Sequence, residues 1–373
     1  MGHRSRIEGL VQCLVISVQL LCCATAGIRP PAIYVFGDST LDVGNNDYLQ
    51  GPDVPRANRR YYGVDFPGKV PTGRFSNGYN IADYIAMNMG FTRSPPPYLS
   101  LAQRTGLLVR SSLSTGVSYA SAGAGILDST HAGNNIPLSK QVKYFGATKS
   151  HMVAKRGSGA VNHLISNSVF LISVGSNDLF VFAESSQNKL DAVDESDDIA
   201  ALYSSLISNY SATINELYAL GARKFAIINV GMLGCVPAAR LFDTNGTCLD
   251  SLNKLASGFD DALQSMIAGL TKKLPGLTYS LADFYGLTEA TFSDPGAVGY
   301  TDISDACCGA GALSAEEDCL PTSTLCANRD QHAFWDRVHP SQHAANLTAM
   351  NFYHMRPGRY TMPTDFKGLA EGS

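Results

Sequence analysis

Four short stretches carry residue types from which an acyl-transfer site can be assembled. They are Gly37-Asp38-Ser39, Ser121-Ala122-Gly123-Ala124-Gly125, Gly175-Ser176-Asn177-Asp178 and Trp335-Asp336-Arg337-Val338-His339-Pro340. A serine hydroxyl is a weak nucleophile until a base takes its proton. An imidazole can do that, and a carboxylate on its other nitrogen fixes the tautomer and supports the imidazolium. Asp336 and His339 stand three residues apart, a spacing that brings two side chains together on one face of a helical turn. Ser39 is then the expected nucleophile, His339 the base and Asp336 its partner. The developing oxyanion needs preorganised donors. The backbone N–H groups of Ser39 and Gly123 supply two, and the side-chain amide of Asn177 a third. Singly, a Gly-Asp-Ser tripeptide, an Asp-x-x-His turn and a Gly-x-Asn-Asp turn are ordinary structural features. Their joint placement, just past predicted strands or in the terminal segment, carries the reading. His131, His151, His163, His332, His343 and His354 lack an Asp-x-x-His setting and read as structural or surface residues.

These groups need a scaffold that brings distant loops to one place. Five short apolar or β-branched runs read as strands, over residues 32–36, 116–120, 168–174, 224–230 and 277–282. Helical patterns fall between them, over 80–89, 138–155, 199–220 and 249–274. In the third, Leu202, Leu206, Ile207, Ile214, Leu217 and Leu220 recur near helical spacing, and Gly221 caps the end. Alternation of strand and helix predicts an α/β fold built on a parallel sheet of about five strands. Such sheets bind ligands beyond the carboxyl ends of their strands, where the four chemical stretches fall. The acidic, polar segment 184–198 reads as a solvated loop. No internal repeat or Pro-rich linker is evident.

Of 373 residues, 45% are hydrophobic, enough for a large core, and the formal net charge is -4. No dense Lys/Arg run suggests a nucleic-acid partner. The amino terminus reads as a signal peptide over residues 1–26. His3, Arg4 and Arg6 precede an apolar run over 10–23, and Ala24-Thr25-Ala26 offers a cleavage site after Ala26. The run is short for a membrane anchor, and no other stretch is apolar enough to span a bilayer. One domain over 27–373 and export to the extracellular space are expected. The carboxyl terminus carries no ER-retention signal. Six cysteines remain after cleavage: Cys235, Cys248, Cys307, Cys308, Cys319 and Cys326. An even set in an exported chain implies disulfides. Cys235 and Cys248 are expected to pair, leaving the other four to pair among themselves. No zinc-type spacing and no cofactor is indicated. Asn209, Asn245 and Asn346 head glycan sequons, and Asn209 is the weakest because it falls inside a predicted helix.

The chain resembles the GDSL esterase/lipase family, the plant branch of the SGNH hydrolases, over roughly residues 30–355. The run Tyr34-Val35-Phe36-Gly37-Asp38-Ser39-Thr40-Leu41-Asp42-Val43-Gly44-Asn45-Asn46 is similar to its first block, and Pro71-Thr72-Gly73-Arg74-Phe75-Ser76-Asn77-Gly78 to another plant-branch signature. Ser118-Tyr119-Ala120-Ser121-Ala122-Gly123 resembles the second block, Gly175-Ser176-Asn177-Asp178 the third, and residues 334–340 the last. The resemblance implies a flavodoxin-like three-layer α/β/α fold. It assigns Ser39 as nucleophile and oxyanion donor, Gly123 and Asn177 as further donors, His339 as base and Asp336 as its partner. The second block usually begins with Asn, where this chain has Ser118, so a local hydrogen bond is expected to change. The Gly-x-Ser-x-Gly elbow of α/β-hydrolases is absent. The implied activity is hydrolysis of carboxylic esters, of lipids or small acyl compounds, through an acyl-enzyme. The alternatives are removal of O-acetyl groups from cell-wall polysaccharide, or a catalytically silent binding protein on the same scaffold.

Overall fold

The computed structural model describes residues 29–187, 195–354 and 358–372. The expected signal peptide lies outside the described residues. Five parallel strands form the central sheet: β1 (Ile33–Gly37), β2 (Gly116–Ser118), β3 (Val169–Ser173), β4 (Lys224–Ile228) and β5 (Thr278–Ala282). A two-residue strand, Thr361–Met362, adds antiparallel to β5, giving the spatial order edge strand–β5–β4–β3–β1–β2. This edge strand is too short to leave a signal in the sequence. The order of the parallel strands is the flavodoxin-like one, with its switch point beside β1.

Alternation along the strands builds the layers. Tyr34, Phe36, Phe170, Ile172, Phe225 and Ile227 face one core. Their neighbours Ile33, Val35, Val169, Leu171, Ala226 and Ile228 face the other. The first core is covered by α2 (Leu138–Arg156), α3 (Ser158–Asn167), α5 (Glu195–Ala219) and α6 (Asp250–Thr271). The second is covered by α1 (Ile81–Asn88), α8 (Gln342–His354) and α9 (Phe366–Glu371). Between these, α4 (Ser176–Gln187) follows β3 and α7 (Phe284–Ser293) follows β5. The result is the expected three-layer α/β/α architecture.

Three expectations are corrected. The segment 184–198 is not one loop: α4 runs to Gln187 and α5 begins at Glu195. Phe180, Phe182 and Ile199 pack these helices against the core, while Glu184, Ser185, Asp197 and Asp198 are exposed. Helix α3 lies outside the expected set: it is short, Gly157 and Gly159 stand at its start, and only Val161 and Ile165 mark its buried face. Strand β2 stops at Ser118 rather than Ala120. There the Asn45 side chain takes over, donating to the carbonyls of Ser118 and Ala120 at 2.9 and 2.8 Å. Among the described residues the buried hydroxyl of Ser118 has no hydrogen-bond partner.

Cys235 pairs with Cys248 as expected. The remaining bridges are nested, Cys307–Cys326 enclosing Cys308–Cys319.

Candidate active site

Ser39 stands two residues beyond the end of β1. Register brings Gly37, Ser173, Ile228 and Ala282 level along one edge of the sheet, so the loops that follow share one rim. Gly37 has φ +142°, and a Cβ there would run into the Ser173 carbonyl. Only glycine turns the chain this close to β3. The buried Gln141 side chain then clamps the Gly37 peptide groups, accepting from its N–H at 2.9 Å and donating to its carbonyl at 2.8 Å. Beyond it, Asp38 Oδ1 accepts from the backbone N–H and hydroxyl of Thr40 at 3.0 and 2.8 Å. Burial pushes the Asp38 carboxyl up to about 6, against the pull of the Thr40 bonds and the His339 charge. Ser39 itself is partly exposed on the cavity wall. Its hydroxyl makes no hydrogen bond among the described residues; contacts between nucleophile and base often tighten only around substrate.

The glycine-rich loop after β2 is held by residues of the first block that do no chemistry themselves. Asp42 accepts from Gly44 and Asn45 N–H through Oδ1, and from Ala122 N–H through Oδ2 at 3.0 Å. The Asn46 amide donates to the carbonyl of Ala122 at 2.9 Å and accepts from the Ser121 hydroxyl at 2.5 Å. The carbonyl of Ala122 and the N–H of Gly123 belong to one planar trans peptide and point in opposite directions. Holding that carbonyl therefore aims the Gly123 N–H. The Gly123 carbonyl is held in turn by Asn135 at 2.9 Å and His131 Nδ1 at 3.1 Å.

Asn177 opens α4, and its side-chain amide donates to the Ala124 carbonyl at 3.0 Å. An amide NH₂ has two hydrogens, so one remains for another acceptor. Its neighbour Asp178 staples the same loop, accepting from Ile126 and Leu127 N–H at 2.8 and 3.1 Å and from Thr130 at 2.6 Å. Burial raises the Asp178 carboxyl despite these bonds.

His339 lines the same cavity, and its Nδ1 lies 2.8 Å from both oxygens of Asp336. The pair does not sit in a helical turn, which corrects the geometry expected from the spacing. It sits in an irregular loop between the strand His332–Phe334 and α8, closed by Val338 and His339 N–H donating to Asp336 Oδ1 at 3.0 and 2.9 Å. A short carboxylate can cap its own turn in this way, so the spacing does not require a helix. Burial alone would raise the Asp336 carboxyl. The charge and hydrogen bond of His339, with the two backbone donors, outweigh it and hold it below its ordinary value. Tyr62 donates its hydroxyl to Asp336 Oδ2 at 2.8 Å, and the Phe75 ring lies 4.8 Å from the His339 ring.

The signature containing Phe75 owes its shape to Arg74. Its guanidinium makes a buried bidentate pair with Asp83 at 2.6 and 2.8 Å. Asp83 also completes the capping box of α1 with Asn80. Breaking such a buried pair typically costs about 3–5 kcal/mol.

Ser39, Gly123, Asn177 and His339 line one cavity of about 1850 Å³, and Asp336 stands behind His339. The cavity extends across the ends of β4 and β5, where Phe182, Tyr203, Leu233, Leu255, Phe292 and Leu347 line it. Polar residues such as Asp53, His131 and Asn134 stand on the Gly123 side. Such an open cleft can take an apolar chain and leave a carbonyl beside Ser39. Among the described residues no group of His, Cys, Asp and Glu is arranged to hold a metal ion, and no helix is long and apolar enough to cross a membrane. Asn209 is exposed on α5 and Asn245 on a turn, whereas Asn346 is partly buried in α8 with Thr348 buried beneath it.

Sequence reasoning named the groups that could do chemistry and missed most of those that hold them. Asp42, Asn45, Asn46 and Asp178 lay inside the quoted blocks with no role attached. Clustered Asp and Asn beside glycine is the available signal, since these side chains bond readily to backbone. Gln141 and Tyr62 left no signal, because their partners are 104 and 274 residues away.

Residues 33–352 match the model of the GDSL-like lipase/acylhydrolase family. A GDSL esterase/lipase of Arabidopsis thaliana is 40% identical over 325 residues, covering 84% of this chain and 83% of the relative. A second from the same plant is 36% identical over 327 residues, covering 86% of this chain and 87% of the relative. Among solved structures, an acetylxylan esterase mutant from Geobacillus stearothermophilus aligns over 87% of this chain and 94% of its own, at 10% identity and a TM-score of 0.37.

Proposed function

We propose that this chain, which belongs to the GDSL lipase/acylhydrolase family and is an ester-bond hydrolase, cleaves esters of long, apolar acyl groups with Ser39 as nucleophile, His339 as base and Asp336 as its partner. The observation that carries the reading is convergence. Ser39, Gly123, Asn177 and His339 border one cavity whose remaining wall is largely apolar, and Asp336 engages His339 Nδ1 from behind.

In the acylation step His339 Nε2 takes the Ser39 proton as Oγ adds to the ester carbonyl. The oxyanion is met by the N–H groups of Ser39 and Gly123 and the free amide hydrogen of Asn177. His339 then gives its proton to the departing alcohol. Water, deprotonated by the same imidazole, releases the acid in the second half-reaction. Asp336 stays ionised throughout, in keeping with its lowered carboxyl.

The cavity argues for a lipid-like acyl chain over an acetylated polysaccharide. Burying an apolar chain gains about 0.8 kcal/mol per methylene, whereas a glycan offers this wall little to bury. Export through the secretory pathway is part of the same reading, supported by the basic and apolar start of the sequence and the three disulfides. Asn245 and Asn209 are the accessible sequon positions for a glycan.

The test is hydrolysis of esters graded from acetyl to long acyl chains, with acetylated xylan alongside and Ser39→Ala as control. The reading expects kcat/KM to rise with chain length and to vanish in the control. Preference for acetyl groups, or an active control, would contradict it.

A further inference from the structure

We propose that Tyr62 is a positioning residue for the triad: its hydroxyl fixes the Asp336 carboxylate in the orientation that holds His339. The inference rests on the Ser39–His339–Asp336 reading. Tyr62 is 4% exposed and Asp336 3%, so their 2.8 Å contact is closed to solvent. A phenol has one proton to give. Burial, followed by the Asp336 charge, raises the Tyr62 hydroxyl well above its ordinary range, so it remains a donor at every working pH. Its bond therefore requires an unprotonated oxygen on Asp336.

The two carboxylate oxygens are thereby divided. Oδ1 takes the backbone N–H groups of Val338 and His339, Oδ2 takes Tyr62, and His339 Nδ1 reaches both. Without Tyr62 no described group other than the imidazole would bond to Oδ2. The Tyr62 ring is itself held. It meets Phe75 edge-on at 5.8 Å, and Phe75 meets the His339 ring at 4.8 Å. The Arg59 guanidinium lies 5.5 Å from the Tyr62 ring centre and donates to the Cys319 carbonyl at 2.9 Å. This ties the tyrosine to the Cys308–Cys319 bridge.

Charged neighbours do not duplicate the bond. Arg59 packs on the ring and its charge and hydrogen bond act on the Tyr62 hydroxyl, pulling it down against burial, Arg337 faces Asp318 at 3.6 Å, and Asp38 acts on His339 only through its field. The Tyr62 hydroxyl therefore draws on the carboxylate charge that faces the imidazole. Removing it leaves more of that charge to stabilise imidazolium, so the base holds its proton to higher pH.

The experiment measures kcat, KM and the pH–rate profile of Tyr62→Phe, alone and in an Asp336→Asn background. The expected single-variant result is a fall in kcat of about tenfold with KM within about twofold, and an acid limb moved up by about half a pH unit. With Asp336→Asn already present, Tyr62→Phe is expected to add little. Replacing Tyr62 with 3-fluorotyrosine keeps the shape and strengthens the donor, and should move the acid limb the other way. An acid limb unmoved in both variants, or an undiminished Tyr62→Phe effect beside Asp336→Asn, would overturn the inference. Activity surviving in Ser39→Ala would instead overturn the triad on which it rests.

Discussion

The two halves of the site are held by different chemistry. On the Ser39 and Gly123 side, buried polar side chains grip the backbone: Gln141 on Gly37, Asp42 and Asn46 on Ala122, Asp178 on Ile126 and Leu127. On the His339 side, an irregular loop is closed by the Asp336 carboxylate on its own backbone and seated by packing. Its fully buried Trp335 joins Tyr62, Phe75 and the nested disulfides in one cluster, and Phe75 faces the His339 ring. The difference follows from what each half presents. Aiming an N–H requires fixing a peptide plane, and hydrogen bonds to its carbonyl do that directly. Placing an imidazole requires fixing a ring, and aromatic walls with one carboxylate do that.

If the halves divide the work in this way, damage to each should be recognisable. The largest effect is expected from His339→Ala, which removes the proposed base outright. Turnover should fall about 10⁴-fold with the fold intact. A folded variant with near-normal turnover would end the assignment.

Next come the donors. Asn177→Ala should lower kcat by about 10²- to 10³-fold. Asn177→Asp should be worse, because it places a like charge toward the oxyanion in a partly desolvated site. Substrate affinity should change less than turnover. Should both variants lose thermal stability while keeping turnover per folded molecule, Asn177 merely anchors the loop through Ala124.

A smaller effect is expected one step behind the donors. Asn46→Asp exchanges the amide that holds the Ala122 carbonyl for a carboxylate that repels it. Turnover should fall about tenfold with KM little changed. An equal rise in KM would show that the substitution disturbs binding rather than the aim of one N–H.

The smallest effect separates the polar half by its response to pH. Burial pushes Asp38 and Asp42 up to about 6, whereas such carboxyls titrate near 3.8 when unfolded. Between those values the folded chain holds more protons than the unfolded one. Their contribution to stability is therefore present at low pH and lost as pH rises through about 6. Asp336 runs the other way. Its lowered carboxyl contributes above the unfolded value, and that contribution is lost as pH falls through the folded one. The thermal midpoint of Asp38→Asn should fall less steeply than that of the parent between about pH 4 and pH 6.5. An unchanged slope would contradict this account of Asp38.

The sequence revealed the two halves unequally. All five parallel strands were legible, because each is an apolar run ended by a turn residue, and the chemical groups stood just beyond those ends. Helix α3 and the edge strand Thr361–Met362 were not legible, one marked only by Val161 and Ile165 after two glycines and the other two residues long. The polar clamps were half visible as Asp and Asn beside glycine in Asp42-Val43-Gly44-Asn45-Asn46. The packing of the His339 half was invisible, since Tyr62 and Phe75 meet that loop only through the fold. Local spacing identified Asp336 and His339 as partners but suggested a helix, where a carboxylate capping its own turn does the same work.

The most direct test of the central claim is covalent capture. A long-chain alkyl phosphonate ester with a good leaving group should form one Ser39 Oγ–phosphorus bond and expel that group. Mass spectrometry of the digested protein should find the adduct on the peptide carrying Ser39, with hydrolysis lost in proportion to labelling and labelling slowed in His339→Ala. Stoichiometric labelling at another residue, or full activity in protein labelled at Ser39, would contradict the account.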